Sequence, residues 1–413
     1  MSLKPGILIR VFLPFALGYF LSYLFRSVNA VIAPDLVRDI GVDPASLGLL
    51  TSAYFLAFAA FQLPLGVLLD RFGPRRVEAA LLLVAAAGAF TFARAETLTG
   101  LMLGRALIGL GVSACLMAAF KAFTLWFPAE KLPLANGVQM ISGGIGALAA
   151  STPVEMSLKF TDWRGVFLIL AGLTVTAAIC IFLLVPEKPD SRSGETLSEQ
   201  LRGIRQVFTS RIFWSIAPWA VAAQAAYLSI AGLWSGPWLR DIAGYDRMAA
   251  ANTLMGISVA MIAGYFAFGS LAERLARRGI QPMTVAATGM LCFIVVQGMI
   301  VLQMVNLTLL IWLLFGFFGT ACILPYAALS QNFPRHLSGR VNTGLNLLVF
   351  VAAFTAQWAI GLIIDLWPQN ASGGYSAAGY SSSFGLIVIL QLAGAIWYFL
   401  PIGQKKSSGN SMP

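Results

Sequence analysis

Residues 66–76 read Gly-Val-Leu-Leu-Asp-Arg-Phe-Gly-Pro-Arg-Arg and form a short charged turn between two long apolar segments. The chain around this turn has 413 residues, of which 58% are hydrophobic and only 11% are charged. Soluble domains carry about a quarter charged residues, and a helix of about 20 apolar residues crosses a bilayer. We therefore predict an all-α membrane protein. A β-barrel is disfavoured because the apolar stretches are long and unbroken rather than alternating.

Twelve apolar segments are predicted, six before and six after residues 186–212, which form the only long polar stretch between the termini. The ninth and tenth are separated by little more than Val305-Asn306. The first is longer than the apolar region of a signal peptide, so we expect it to be retained. The predicted segments are 8–33, 46–69, 77–93, 100–126, 134–158, 165–185, 213–238, 250–272, 281–304, 307–331, 340–366 and 382–402.

The basic residues favour one side of this topology. If the N-terminus is cytoplasmic, 18 of the 27 lysines and arginines lie in cytoplasmic segments and 6 in outer loops, with Arg26, Arg105 and Lys121 inside helices. This positive-inside bias predicts a multi-pass protein of a bacterial-type inner membrane with both termini in the cytoplasm. The net charge of +10 then reflects topology rather than nucleic-acid binding. The four cysteines show no metal-ligand spacing, and we expect a monomer without cofactors.

The two halves of the chain are related by an internal repeat. Gly66, Asp70, Arg71 and Arg75 recur 203 residues later as Gly269, Glu273, Arg274 and Arg278, and Phe127-Pro128…Asn136 recurs 206 residues later as Phe333-Pro334…Asn342. A six-helix unit keeps both copies in one orientation, and parallel repeats of this kind place the ligand site near the midplane between them. The predicted organisation is an N-terminal bundle (1–185), a cytoplasmic linker (186–212), a C-terminal bundle (213–402) and a cytoplasmic tail (403–413).

Residues 66–76 resemble the signature loop of the major facilitator superfamily at every defining position. Gly104-Arg105-Ala-Leu-Ile-Gly109-Leu-Gly111 is similar to the second motif of that family, and Trp163-Arg164-Gly165 to another common feature. The resemblance implies a secondary transporter with twelve helices in two pseudo-symmetric bundles that works by alternating access. It also implies a gating role rather than substrate binding for the motif residues, which are Gly66, Asp70, Arg71, Gly73, Arg75, Arg76, Arg105, Glu273 and Arg274.

The 66–76 turn also has a physical interpretation of its own. Gly66 would let its helix approach a neighbour closely, and Asp70 at a helix C-terminus needs an arginine or another helix N-terminus to offset its charge. Such a contact would act as a latch that breaks when the cytoplasmic side opens. The alternative is a solvated turn whose bases only satisfy topology. In the second copy Ala276 replaces the second glycine and Gly279 replaces the last base, so the second latch is weaker.

Arg26 is the sharpest candidate for substrate binding. A charge inside a membrane helix costs about 2.5–3.5 kcal/mol on insertion scales and marks a functional site by default. Tyr19, Tyr23 and Asn29 share one helical face with Arg26. An arginine there can bind a carboxylate or phosphate through two parallel hydrogen bonds, and the helix resembles the first helix of superfamily members that carry organic anions. The alternative is an arginine that snorkels to the outer headgroups.

Further cavity candidates lie on other predicted helices. In the superfamily the first, fourth, seventh and tenth helices line the cavity, which favours Gln224, Tyr227 and Tyr326, and Asn346 joins them by helical spacing in the eleventh. Trp234 and Trp238, near a helix end, are expected to be interface anchors. The acids inside or near predicted helices are Glu78, Glu155 and Asp365, and all three lie close to predicted helix ends. Glu155 or Asp365 could carry a proton, but an ordinary helix-end residue is the favoured interpretation of each.

Two functions remain open at this point. The first is a proton-driven importer of a small organic anion, with Arg26 as the anion clamp. The second is an exporter of metabolites or drugs that works as an antiporter. The Gly-Pro signature of drug antiporters is missing from the fifth helix, which reads Gly143-Gly144-Ile-Gly146 onward to Pro153. An enzyme is disfavoured because no nucleophile–base pair, metal cluster or nucleotide-binding loop is apparent in the sequence.

Overall fold

The computed structural model describes residues 8–127, 132–187, 197–276, 278–334, 337–369 and 373–400. Eleven of the described helices are long and apolar enough to cross a membrane. The remaining predicted segment, 134–158, is present as two consecutive helices. The predicted tail 403–413 and residues 188–196 of the predicted linker lie outside the described part of the chain.

The first six spans run alternately up and down through the bundle. A π-helical turn, Leu8–Phe12, leads into α1, and Pro44–Arg94 contains both α2 and α3 because the helix is interrupted only at Gly73. The bounds are Leu13–Ser27 with Asn29–Ile40 (α1), 44–72 (α2), 74–94 (α3), Leu98–Val112 with Cys115–Trp126 (α4), Leu132–Ala149 with Thr152–Ser157 (α5) and Trp163–Leu184 (α6).

A separate linker helix, Leu197–Phe208, precedes the second set of six spans. A turn of 3-10 helix, Val305–Leu307, separates α9 from α10, so the weakly marked boundary near Val305-Asn306 is confirmed. The bounds are Arg211–Ser229, Ile230–Trp234 and Ser235–Asp241 (α7), Arg247–Ala276 (α8), Pro282–Val301 (α9), Thr308–Gly319, Thr320–Ile323 and Leu324–Gln331 (α10), Ser338–Asp365 (α11) and Ala377–Phe399 (α12).

The bundle has two ends, which we call the linker face and the far face. The linker face carries the 66–76 turn and the linker helix, and the far face carries the ends of α1, α5 and α7. At the far face the two halves approach through glycines, since a Cβ at Gly236 would overlap the Ala30 carbonyl oxygen and one at Gly361 the Pro44 carbonyl oxygen. Small residues allow such close approach of helix backbones. The halves are therefore closed against each other at this end.

The first helix is longer than predicted. It breaks at Val28 and continues to Ile40, seven residues beyond the predicted end at residue 33. The extension was missed because Asp35, Arg38 and Asp39 interrupt the apolar pattern on which the prediction rests. Since the helix extends well past Arg26, that arginine lies in the middle of the bundle rather than near its far end.

The indole of Trp163 holds the far end of α1 in place. Its Nε1 donates a hydrogen bond to Oδ2 of Asp39 over 3.0 Å. Partial burial raises the pKa of this carboxyl, but the bonds from Trp163 and Arg38 and the nearby charge of Arg164 more than offset it, so the pKa is lowered overall. The Trp163-Arg164 motif thus joins α6 to the end of α1.

The 66–76 turn depends on Gly73, whose φ of 77° lies in the left-handed region that favours glycine. Arg75 stacks on Phe182 with its guanidinium carbon 4.9 Å from the ring centroid, and Arg76 pairs with Glu187 over 2.6 Å. Both contacts tie the start of α3 to the end of α6. The side chain of Asp70 lies outside the described atoms, so its predicted latch stays a prediction.

Two expectations about the turns need correction. A Cβ at Gly66 would meet no described atom within 4 Å, so the close helix approach expected there is absent from this conformation among the described residues. In the second copy Gly279 takes the left-handed conformation, with a φ of 80°, after α8 has run on to Ala276. The second turn is therefore displaced by three residues, with Glu273 and Arg274 exposed on the last turn of α8.

Candidate functional site

Two neighbouring cavities lie between the halves and share Tyr23, Arg26 and Leu228. The space that a water-sized molecule can occupy inside them is about 50 Å³ in the first and about 60 Å³ in the second, so both are narrow in this conformation. The first extends along α1, α5, α7 and α8 and includes Tyr227. The second includes most of the predicted candidates, and the lining residues used below are Tyr19, Tyr23, Arg26, Phe58, Gln62, Gln224, Tyr326, Asn346 and Phe350.

Arg26 occupies an aromatic cage contributed by both halves. Its guanidinium carbon lies 4.6 Å from the ring centroid of Tyr23, 5.6 Å from that of Phe58 and 5.2 Å from that of Phe350. Ring faces attract cations at these distances. Its buried Nε has no hydrogen-bond partner, and none of the described acidic side chains forms an ion pair with it. The cage therefore leaves a cation in the cavity whose charge and donors are only partly compensated.

Arg105 supports the cage from behind. It is 1% exposed, and its Nη1 donates to the carbonyl oxygen of Phe25 over 3.0 Å. The ring of Tyr54 lies 5.1 Å from the Arg105 guanidinium carbon and 6.0 Å from that of Arg26, and its hydroxyl donates to the Ser22 carbonyl oxygen over 3.3 Å. The residue of the second motif thus holds the backbone of α1 next to Arg26.

A chain of neutral side chains crosses between the halves beside the cage. The hydroxyl of Tyr326 donates to Oδ1 of Asn346 over 3.1 Å, and Nδ2 of Asn346 donates to Oε1 of Gln62 over 3.3 Å. Nε2 of Gln62 donates in turn to the Ser113 carbonyl oxygen over 3.3 Å. The chain therefore connects α10 and α11 of one half to α2 and α4 of the other.

The remaining predicted candidates are placed as follows. Tyr19 is buried, packs edge-on against Tyr23 at 5.1 Å and donates to the sulfur of Met140 over 3.6 Å. Gln224 lines the cavity with a buried Oε1 that lacks a partner, and Tyr227 is stacked on Phe315 at 5.6 Å. Asn29 is 1% exposed at the break in α1 and is not among the residues that line either cavity.

An ion triad joins the halves at the far face. Arg247 of α8 contacts both carboxylate oxygens of Asp35 over 2.9 and 2.7 Å, and those of Glu155 over 3.0 and 3.3 Å. Asp35 lies on α1 and Glu155 on α5, so one arginine binds two helices of the opposite half. Glu155 is one of the two acids considered above as proton carriers, and the structure places it in this ion triad.

Several important residues were missed from the sequence. Phe58, Gln62 and Phe350 complete the cage and the polar chain, and only a helical-wheel comparison of α2 with α11 could have suggested them. Glu78 looked like a helix-end residue, yet it is fully buried because α3 begins just after Gly73. The anchor expectation for Trp234 and Trp238 is wrong, because both are buried and Nε1 of Trp234 donates to the Gln357 carbonyl oxygen over 3.0 Å.

Both the sequence and the fold of this chain match those of known proteins. The family profile of the Major Facilitator Superfamily matches residues 15–357. A bacterial homolog to the human lysosomal transporter Spinster, solved in an inward-facing and occupied conformation, superposes with a TM-score of 0.76 at 19% identity, covering 94% of this chain and 95% of that one. The nucleoside transporter NupG superposes with a TM-score of 0.73 at 14% identity, covering 94% and 99% of the two chains. At these identities the likeness concerns the fold alone.

The relatives found by sequence align with only part of this chain. A probable sulfoacetate transporter of Cupriavidus necator is 24% identical over 63% of this chain and 64% of its own length. A hexuronate transporter of Escherichia coli is 25% identical over 49% of this chain and 50% of its own length. The monocarboxylate transporter 12-B of Danio rerio is 26% identical over 74% and 70%. The alignments thus span between half and about two thirds of the first two relatives.

Proposed function

The chain belongs to the major facilitator superfamily and is a multi-pass secondary transporter, and from this premise we propose that it imports a small organic anion together with a proton. The linker face is assigned to the cytoplasm, with both termini on that side, in keeping with the bias of basic residues. The membrane is a bacterial-type inner membrane, and the working unit is a monomer. The predicted small-molecule substrate binds in the cavities around Arg26.

One observation carries the proposal, namely the only partly compensated guanidinium of Arg26 between the halves. Keeping a charge in the middle of a membrane protein is costly unless a partner neutralises it, and no described acid does so. A carboxylate or sulfonate in the cavity would supply the missing charge and accept from the unpartnered donor. The aromatic rings of Tyr23, Phe58 and Phe350 would pack on the apolar part of the solute.

The named substrates of the relatives agree with this chemistry. Sulfoacetate, hexuronate and monocarboxylates all bear an acidic group on a small carbon skeleton. These are properties of the relatives, and they support an organic anion as the class of solute without selecting one. The neutral side chains of Gln224, Tyr326 and Asn346, which line the same cavity, would then form hydrogen bonds with the rest of the solute.

Proton coupling follows from the sign of the solute's charge. The interior of the cell is negative, so that importing one negative charge costs about 2.3 kcal/mol per 100 mV of membrane potential. A proton that enters with a monovalent anion removes this cost and adds the driving force of the pH gradient. An exporter of the same anion would gain from the potential and would need no co-transported proton.

Uptake into proteoliposomes tests the proposal. The assay compares radiolabelled sulfoacetate, galacturonate and lactate with galactose as a neutral match for galacturonate, with and without an inwardly directed proton gradient. We expect at least one acid to accumulate, to do so only with the gradient, and galactose to be ignored. Equal transport of galactose, or outward movement of a panel acid from preloaded vesicles driven by an inwardly directed proton gradient, would reject anion import with a proton and favour the exporter.

A further inference from the structure

Glu78 is a buried acid that the site described above does not use. It lies on α3 five residues after Gly73, is 0% exposed, and neither of its carboxyl oxygens has a hydrogen-bond partner. Its carboxyl presses against α1 at Gly18, where a Cβ would overlap its Oε1, and Ile181 of α6 borders the same space. Glu78 is thus enclosed by three other helices of its own half.

The groups that face Glu78 offer no compensating charge. Cys115 of α4 contributes a thiol, a neutral group that approaches the Glu78 carboxyl. Gly18 and Ile181 contribute no polar side-chain atom, and Arg75, one turn earlier on α3, is stacked on Phe182 instead. Burying an isolated carboxylate is far more costly than burying the neutral acid. In the conformation described here burial therefore favours the neutral acid over the carboxylate.

We propose that Glu78 is the proton-binding group of the transport cycle, an inference that rests on the proposed anion import. The carboxyl O–H bond breaks when the linker face opens, and the proton passes to water there. After the linker face has closed and the far face has opened, the carboxylate takes up a proton from water that enters from the far side. The distance is short, because five residues of helix separate Glu78 from Gly73, which is about 8 Å. No other reactant is required for this exchange.

Arg26 supplies the link between proton and solute. Eight residues of α1, about 12 Å of helix rise, separate Arg26 from Gly18, which the carboxyl touches. When the cavity is empty the positive charge of Arg26 favours an ionised Glu78, and a bound anion removes that effect. Two unit charges separated by about that helix rise, at an effective dielectric constant of about 20, would change each other's equilibria roughly tenfold. By reciprocity, proton binding strengthens anion binding by the same factor.

Infrared spectroscopy tests the proton site without a substrate. Reconstituted wild-type protein should show the C=O stretch of a protonated carboxylic acid at neutral pH, and Glu78→Gln should lose it. Glu96→Gln is the matched control, because Glu96 follows the far end of α3 and is exposed. This control should leave the band unchanged. A spectrum in which Glu78→Gln removes no protonated-acid signal would overturn the proposal, whatever the protein transports.

Transport in proteoliposomes tests the coupling, with the panel acid that the uptake assay identifies. We expect Glu78→Gln to exchange internal for external acid at close to the wild-type rate while gradient-driven accumulation falls about tenfold. If exchange is lost as well, Glu78→Asp, which keeps the carboxyl, must restore accumulation. Wild-type accumulation by Glu78→Gln, or no rescue by Glu78→Asp, rejects Glu78 and leaves anion import standing. Absence of transport of every acid by the wild type rejects anion import instead, and the infrared band then decides Glu78 alone.

Discussion

In residues 8–187 the interior of the bundle holds Arg26, Glu78 and Arg105. The described interior of residues 211–400 is built from neutral polar and aromatic side chains, apart from the half-buried Arg240 and Asp241 at the end of α7, where Asp241 accepts a hydrogen bond from Tyr380. Among the residues whose burial the structure describes, the four charged ones that are at most 8% exposed are Asp35, Glu78, Arg105 and Glu155, and all belong to the first half. Some polar groups buried in the second half satisfy one another, as Gln297 and Gln391 do over 2.9 and 3.1 Å, whereas Oε1 of Gln224 and Oε1 of Gln357 lack a partner.

This difference suggests a division of labour between two halves that share one fold. A charge that binds and releases a solute must be left partly uncompensated, which is costly in a membrane. In this protein the two groups that are costly in this way, Arg26 and Glu78, both lie in the first half. The second half contributes Tyr326, Asn346 and the ring of Phe350, none of which carries a charge of its own. Alternating access would then move a neutral surface past a charged one.

The largest expected effect contrasts a charged and a neutral cavity residue. Arg26→Gln should weaken uptake of the transported acid about 10- to 150-fold, because hydrogen bonds to charged groups contribute about 1.5–3 kcal/mol. Gln224→Ala, in the opposite half, should cost only about fivefold. Arg94→Gln serves as the control because Arg94 is exposed at the end of α3. Concentration-dependent uptake measures all three, and equal losses for Arg26 and Gln224 would remove the asymmetry.

The next effect concerns the ion triad at the far face. Arg247→Gln leaves Asp35 and Glu155 without their shared cation, and since Arg247 is 36% exposed we expect a cost of about 2 kcal/mol. The far face should then open roughly 30-fold more often. Fluorescence distance measurements between labels on the far ends of α1 and α7 report the opening. Arg164→Gln, which affects a pair with Asp39 inside one half, should not change the distances.

A smaller effect is expected from the neutral chain between the halves. Asn346→Ala removes the hydrogen bonds to Tyr326 and Gln62, at a cost of about 1–1.5 kcal/mol, and should slow exchange of the acid about five- to tenfold. Asn332→Ala provides the control. Asn332 is exposed, and among the residues that the structure describes its side chain donates only to the Ala328 carbonyl oxygen. Unchanged exchange by Asn346→Ala would show that these hydrogen bonds contribute nothing to the site.

The smallest effect tests the contact between Glu78 and α1. Gly18→Ala should displace the Glu78 carboxyl from its preferred rotamer, at about 0.5–1 kcal/mol, and lower gradient-driven accumulation about two- to fivefold. Gly172→Ala on α6 makes the same change of residue where a Cβ meets no described atom within 4 Å. If both variants accumulate the acid equally well, the packing of α1 on Glu78 has no role in coupling.

Much of this architecture could be predicted from the sequence because the membrane imposes length and hydropathy on every span. The spans, the weak boundary near Val305-Asn306 and the family follow from these patterns and from the 66–76 motif. The end of α1 at Ile40 could not, since its last turns are polar and are covered by Trp163 and Arg247 from distant parts of the chain.

The candidate site was only partly predictable for a similar reason. A charge inside an apolar helix identified Arg26, and helical spacing added Tyr19 and Tyr23. Glu78 carries the same signal, but its position beside the charged turn made it look exposed. Burial at that point depends on how α1 packs on α3 through Gly18, which is a property of the assembled bundle and not of a sequence window.

The most direct test of the account is a cryo-electron microscopy structure with the transported acid bound. We predict density for the acid between the halves, with its acidic group within hydrogen-bond distance of the Arg26 guanidinium and its carbon skeleton against Tyr23, Phe58 or Phe350. An acid bound elsewhere, with the Arg26 cage unoccupied, would contradict the claim that the charged half holds the solute.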